Sequence, residues 1–440
     1  MRYIKAMVLF SLMLALLSFT ACGNHQVPIE NIQPSEEAAT TVTNKPASDL
    51  PEEELPETPK PPFEGKIAFI TQNLFYYDSA KPVIDKYGKD KVIRKFWPDG
   101  LLYFDLEKTT SIVMELVDDP EIKVIIVNNL FSNTYAAFEQ LNETRKDIYV
   151  IFCQPEISSD GKFSPTADNI SPTADLIVKT DFISQSSAIA RQAQKLGAEK
   201  FVYYSSQTID HPPYPLGHEI IKQVCNELDI EFIDATYPLS GYPDYLKFIQ
   251  NDFPMMVQKH GKNTAFFATG GYMNLFIDTV IMAGAICPQA GNPSCFENFI
   301  GFLDSPGIFF EMESSLFEYL GAKELTDVMG KPYPLYSEYL MTLVRPYLEQ
   351  YNMLGRISAW PVDDRFMSTI TAAEYAVKWI NGEVPKEGVD VEVLKQLMED
   401  FTGVEVYLTP YTDEYPYNEE GTGETYDNFL LMNMDFITFE

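Results

Sequence analysis

From residue 66 onward the chain alternates short apolar runs rich in β-branched residues with longer segments whose apolar positions recur at helical spacing. Runs such as KIAFIT at 66–71, VIIVNN at 124–129 and IYVIF at 148–152 have almost no polar face. A strand apolar on both sides must be buried on both, which a parallel sheet covered by helices provides. Strands are predicted at 66–71, 91–97, 124–129, 148–152 and 176–178, with helices from 78, over 106–117 and over 134–141. Such interleaving is the pattern of a doubly wound sheet.

The pattern then starts again. Helices over 184–196, 216–228 and 245–259 precede strands at 201–206, 231–235 and 264–269; a helix over 272–285, a strand at 299–303, a helix over 336–351 and a strand at 356–360 follow. The fold class is therefore α/β, two doubly wound parallel-sheet lobes joined by a hinge that the chain crosses more than once. Helices over 369–381 and 391–399 lack strand partners of their own nearby and are assigned back to the first lobe. The lobes are drawn as 63–182 plus 362–400 and 183–361 plus 401–440, with crossings near Asp181, near Pro361 and after Asn381.

Ahead of this body lies a different kind of sequence. Arg2 and Lys5 precede an apolar stretch at 7–19, long enough for a signal peptide and short for a bilayer span. It ends in FTACGN at 19–24, which resembles the bacterial lipobox with Phe19 in place of the usual leucine, and implies a signal over 1–21 and lipidation of Cys22. Eight prolines and eight acids fall within residues 23–62, a composition too poor in apolar groups to offset ordering entropy. The segment 22–62 reads as an acidic, Pro-rich disordered tether. The expected location is the outer face of the cytoplasmic membrane, with the lipid as anchor.

Charge and motifs narrow the function. With 32 Lys plus Arg against 64 Asp plus Glu, the net charge of −32 repels phosphate backbones, and no basic run offsets it, so nucleic acid is not an expected partner. Nucleophile-elbow, zincin and P-loop motifs are all missing from the sequence. The pair Gly421 and Gly423 sits in a polar acidic stretch instead of after a strand. His211 and His218, seven apart among prolines, read as a loop and a helix start; no metal and no cofactor is expected. A near repeat, SPTAD at 164–168 and 171–175, reads as a loop duplication without chemistry. Cys287 and Cys295 flank PQAGNPS, which can turn back on itself, and a disulfide between them is expected in an exported protein. Cys153 and Cys225 read as core thiols.

Several segments carry a resemblance. The run 175–181 leading into a helix, and ISAW at 357–360 leading into TAAEYAVKWINGE at 371–383, resemble type I periplasmic substrate-binding proteins. More closely, TAFFATGGYMN at 264–274, GFLDSPG at 301–307, TPYTDE at 409–414 and YDNFLLMNMDF at 426–436 look like an uncharacterised family of bacterial lipoproteins with that fold. The resemblance runs from about residue 66 to the C-terminus and implies the fold, without a ligand.

In open parallel sheets ligands bind beyond the carboxyl ends of the strands. That rule selects Gln72, Asn73 and Tyr76 after the first strand, Asn128 and Asn129 after the third, Gln154 after the fourth, and Thr180 and Asp181 at the crossing. From the second lobe it selects Ser205, Ser206, Tyr237, Thr269, Tyr272, Asp304 and Trp360, with Asp363 and Arg365 beyond the next crossing. Amides and hydroxyls on two walls, with Trp360 or a Tyr giving a flat apolar face, suit a small, neutral polyhydroxylated or nucleoside-like ligand. Each of these polar groups also has an ordinary role as a helix cap. The function expected is a monomeric, extracytoplasmic solute-binding lipoprotein, the receptor of an ABC permease. A lipoprotein that senses its ligand for a membrane partner is the alternative, and an exported enzyme a third.

Overall fold

The computed structural model describes residues 63–71, 80–97, 106–128, 134–156, 166–206, 214–237, 242–268, 280, 284–288, 345, 348–362, 364–414, 418 and 421–440. The predicted signal and tether, and the elements expected at 272–285 and 299–303, lie outside these, as does most of the helix expected over 336–351.

The first sheet begins with β1 (Lys66–Thr71), β2 (Val92–Phe96), β3 (Ile122–Asn128), β4 (Tyr149–Cys153) and β5 (Leu176–Thr180). They lie in the order β2, β1, β3, β4, β5, all parallel. Both faces are buried, and side chains alternate between them as the pleat requires. Ile67, Phe69, Val124, Ile126 and Ile151 enter one core; Ala68, Ile70, Ile125, Val127 and Phe152 enter the other. Full burial of one such side chain contributes about 1.5–3 kcal/mol, against about 0–1 for a surface ion pair. These two cores therefore dominate the stability of the sheet. The second core is closed by α2 (Leu106–Val117) and α3 (Tyr135–Thr144), and α1 (Ala80–Tyr87) lies against the first. A short helix, α4 (Ala167–Ile170), precedes β5.

The second sheet is entered through α5 (Phe182–Lys195). It contains β6 (Lys200–Ser206), β7 (Glu231–Tyr237) and β8 (Thr264–Ala268), parallel and ordered β7, β6, β8, with α6 (Tyr214–Glu227) and α7 (Tyr242–His260) between strands. Single bridges continue it, Ala265 to Ile286 and Cys287 to Ile357, and β9 (Ser358–Ala359) follows. The chain then returns as α8 (Asp364–Asn381), which packs on β3 and β4 and buries most of its first three turns. Asp390 caps α9 (Val391–Thr402) through Val393 N at 3.1 Å, and Gly403, at φ 71°, ends it.

The last strands correct the lobe boundary. Sequence analysis assigns 401–440 to the second lobe, yet β10 (Val406–Thr412) pairs with β11 (Thr425–Met434), and β11 runs parallel to β5. Seven strands thus form the first sheet, in the order β10, β11, β5, β4, β3, β1, β2. β12 (Ile437–Thr438) leaves it and pairs antiparallel with β9 in a separate two-stranded sheet beside the second one. The third crossing consequently falls at Asp435 and Phe436 and not after Asn381. Pro410 and an exposed face give β10 the look of a loop, which is an edge strand's signature. Among the described residues no helix is long and apolar enough to cross a membrane.

Candidate functional site

The order of the first sheet reverses between β1 and β3, the place where an open α/β sheet leaves a crevice at its carboxyl edge. Extending the register from Ile70 and Val127 sets Thr71 beside Asn128, which is itself paired with Cys153. All three follow the parity of the α8 core. Polar groups thus replace apolar ones at the last position of adjacent strands.

The first turns of α8 lie over this row. Asn128 Nδ2 donates to Thr369 Oγ1 at 2.7 Å and to the Arg365 carbonyl at 3.5 Å. Cys153 Sγ donates to the Ser368 carbonyl at 3.5 Å, and burial pushes its thiol up to about 12. Thr180 Oγ1 donates to Asp364 Oδ2. Gln154 holds φ at 53°, a left-handed conformation, with its Oε1 accepting from Thr180 N at 2.9 Å. That turn ties the ends of β4 and β5 together. Among the described residues two buried side-chain atoms here have no hydrogen-bond partner, Thr71 Oγ1 and Gln154 Nε2.

The candidates divide on this geometry. Asn128, Gln154 and Asp181 are brought to one edge, all less than a tenth exposed. Asp181 caps α5, accepting from Ile183 N at 3.1 Å and Ser184 N at 3.0 Å, and its own N–H donates to the Met432 carbonyl at 2.7 Å. Ser205 lies half-buried near the end of β6, opposite Thr236. Trp360 is wholly enclosed, 6.4 Å from the Phe436 ring, so the flat apolar face expected of it is covered by protein. Its indole N–H has no acceptor. Gln72, Asn73, Tyr76, Asn129, Thr269, Tyr272, Asp304 and Asp363 lie outside the described residues, as do Cys22 and Cys295; Cys287 is buried.

Three groups at the edge escape the strand-end rule. Asp364 and Thr369 arrive from α8, and Lys179 stands one residue inside β5. Its Nζ donates to the Pro155 carbonyl at 2.8 Å. Desolvation lowers its ammonium to about 8, although Asp364 and Glu156 favour the charged form; Arg365 opposes it. A lone cation in the apolar run LIVKT was the available signal.

Elsewhere, His218 sits between Glu219 Oε1, 3.0 Å from Nδ1, and Asp234 on its Nε2 side. Among the described residues no group of three potential metal ligands forms.

Parallel α/β sheets, a polar carboxyl edge at a strand-order reversal and, among the described residues, three crossings of the chain define a fold of the type I periplasmic-binding-protein kind. The chain belongs to the family described as protein of unknown function DUF3798, whose pattern matches residues 66–314, more than half of its length. A putative transcriptional regulator from Clostridium difficile 630 superposes with a TM-score of 0.62 at 16% identity, over 86% of this chain and 99% of that one. A sugar ABC transporter structure from Actinomyces odontolyticus gives a TM-score of 0.40 at 12% identity, over 73% and 84%. An uncharacterized protein of Treponema pallidum is 23% identical over 167 residues, 37% of this chain and 74% of its own length.

Proposed function

We propose that this chain is a lipid-anchored, extracytoplasmic receptor that closes its two lobes on a small polar ligand and presents the closed form to an ABC permease. The observation that carries this reading is the buried polar row Thr71, Asn128 and Gln154 beside the strand-order reversal. Among the described residues Thr71 Oγ1 and Gln154 Nε2 of this row have no partner, and a fold that needed only stability would end those strands on apolar groups, because each unpaired buried polar atom costs about 1–3 kcal/mol. The lipobox-like FTACGN and the acidic tether support export and anchoring. Binding without turnover fits the absence of catalytic motifs from the sequence.

The test is a thermal-shift screen of sugars, nucleosides, amino acids and short peptides, followed by calorimetry on Asn128→Ala. A ligand whose affinity falls tenfold or more in that variant supports the reading. Turnover of a hit, or a hit indifferent to Asn128, overturns it. For the anchor, Cys22→Ala is expected to leave the membrane fraction and to lose a lipid mass increment that the wild type carries.

A further inference from the structure

The carboxyl edge of β5 holds a cation that the described protein only partly satisfies. Lys179 has three N–H donors, and among the described residues one of them is used, by the Pro155 carbonyl at 2.8 Å. No carboxylate forms an ion pair with it there, although Asp364 and Glu156 are near enough to be felt. As a whole residue Lys179 is half-buried, while its ammonium is desolvated. A second donor is left over one strand away. Gln154 N–H donates to the Val178 carbonyl at 2.7 Å and its Oε1 accepts from Thr180 N at 2.9 Å, which sets it beside Lys179, and among the described residues its buried Nε2 has no acceptor. Both groups thus have N–H donors left over for an acceptor that the described residues do not supply.

We propose that Lys179, with Gln154 beside it on the neighbouring strand, receives a carboxylate group of the small ligand. Resting on the receptor reading above, this names the ligand's chemistry: an organic acid, in place of the neutral molecule that the amides and hydroxyls alone suggest. A planar carboxylate has two oxygens and about four acceptor positions, which suits a point-charge ammonium next to an amide N–H. A chain of net charge −32 repels anions at long range, so such a ligand has to be held by charge at short range. The desolvated ammonium provides it, because a negative partner recovers what burial removes.

Competitive acylation of Lys179, read by peptide mass spectrometry on the full-length protein at pH 8, tests this directly. Acetate, D-glucuronate and benzoate serve as probes, each against its neutral counterpart, acetamide, D-glucose and benzamide. At least one acid is expected to slow Lys179 acylation fivefold or more while exposed Lys95 is unchanged and the neutral partner has no effect. Calorimetry then expects Lys179→Met to weaken the protecting acid at least tenfold and Lys179→Arg to retain most of its affinity. If no acid protects Lys179, or acid and neutral partner protect equally, the site is wrong. X-ray scattering separates this from the receptor reading. Compaction by a neutral solute with Lys179 reactivity unchanged removes the carboxylate site and keeps the receptor, whereas protection without compaction does the reverse.

Discussion

Polar side chains at the carboxyl edge do double duty, and single substitutions separate the duties. Asp181 accepts two N–H groups of the first turn of α5. Asp181→Ala is expected to cost about 1 kcal/mol, with Asp181→Asn closer to wild type, measured as a shift in urea midpoint at constant m-value. Trp360 belongs to the crossings and not to a binding face, so Trp360→Ala is expected to cost about 3–5 kcal/mol of unfolding free energy. A variant that kept its stability and lost only ligand would return the indole to the binding face. Asn128 and Gln154 were legible in the sequence because each stops an apolar run abruptly, and a polar group there must face either solvent or a partner; Asp181 was legible as the residue between a strand and a helix. Their partners were not legible. Thr369 meets Asn128 across 241 positions, and nothing in either local sequence announces it. Lys179 directly follows the predicted strand 176–178, yet the selection fell on the two residues after it, Thr180 and Asp181.

At the scale of elements, periodicity located the strands and helices well wherever both faces of the sheet are buried, since an apolar run bounded by polar turns has few other readings. It failed at β10, whose exposed positions and Pro410 look like loop, and also at β11, whose buried run FLLM at 429–432 was assigned no strand. The connection from β10 to β11 also hides a device. Gly421 and Gly423 do surround an anion, but an internal one: Asp413 accepts from Thr422 N at 2.9 Å, Thr422 Oγ1 at 3.2 Å and Asn418 Nδ2 at 2.8 Å. Burial pushes the Asp413 carboxyl up, and these donors with Tyr411 outweigh it and hold the group below the ordinary carboxylate value. A depressed carboxylate contributes stability that is present above its unfolded value, about 3.9, and is lost as pH falls towards and through the folded one. Asp413→Asn is therefore expected to flatten the fall in stability below about pH 4, read from urea midpoints against pH. Between α5 and α6 the packing is tight at one point. A Cβ on Gly217 would stand 2.5 Å from the Phe182 ring and 2.9 Å from Ser186 Oγ. Gly217→Ala is expected to cost about 1–3 kcal/mol, and the Phe182→Leu background should relieve part of it in a double-mutant cycle.

For the molecule as a whole the three crossings are tied to one another. Thr180 on the first bonds Asp364 on the second, Asp181 N reaches Met432 at the third, and Trp360 packs on Phe436. Repetition of the α/β pattern revealed two lobes, but the place of the third crossing depends on strand pairing between residues about 250 apart, which no local pattern encodes. Lys179 lies at this junction and sets a pH dependence for the apo protein. Its folded value of about 8 is below the unfolded one of about 10.4, so the cost of the buried charge is complete below pH 8. Above pH 8 the folded state releases a proton that the unfolded state keeps, and stability is expected to rise towards pH 9.5. Lys179→Met is expected to remove that rise, measured by urea unfolding at pH 7 and 9.5.

The route of the chain from β11 to β12 has a consequence for how the protein is made. β11 sits between β5 and β10, and β12 lies beside β9, so both pairings wait for strands that come late in the chain. A ribosome-bound chain that has emerged only as far as β9 leaves the edge of β5 open, and neither lobe has reached its native pairing. Long-range closure of this kind is slow compared with helix formation, and it leaves the chain threadable for as long as it is being synthesised. For a protein proposed to cross a membrane before it works, that late closure is an asset: the step that completes both lobes comes after the segment that directs export has been read.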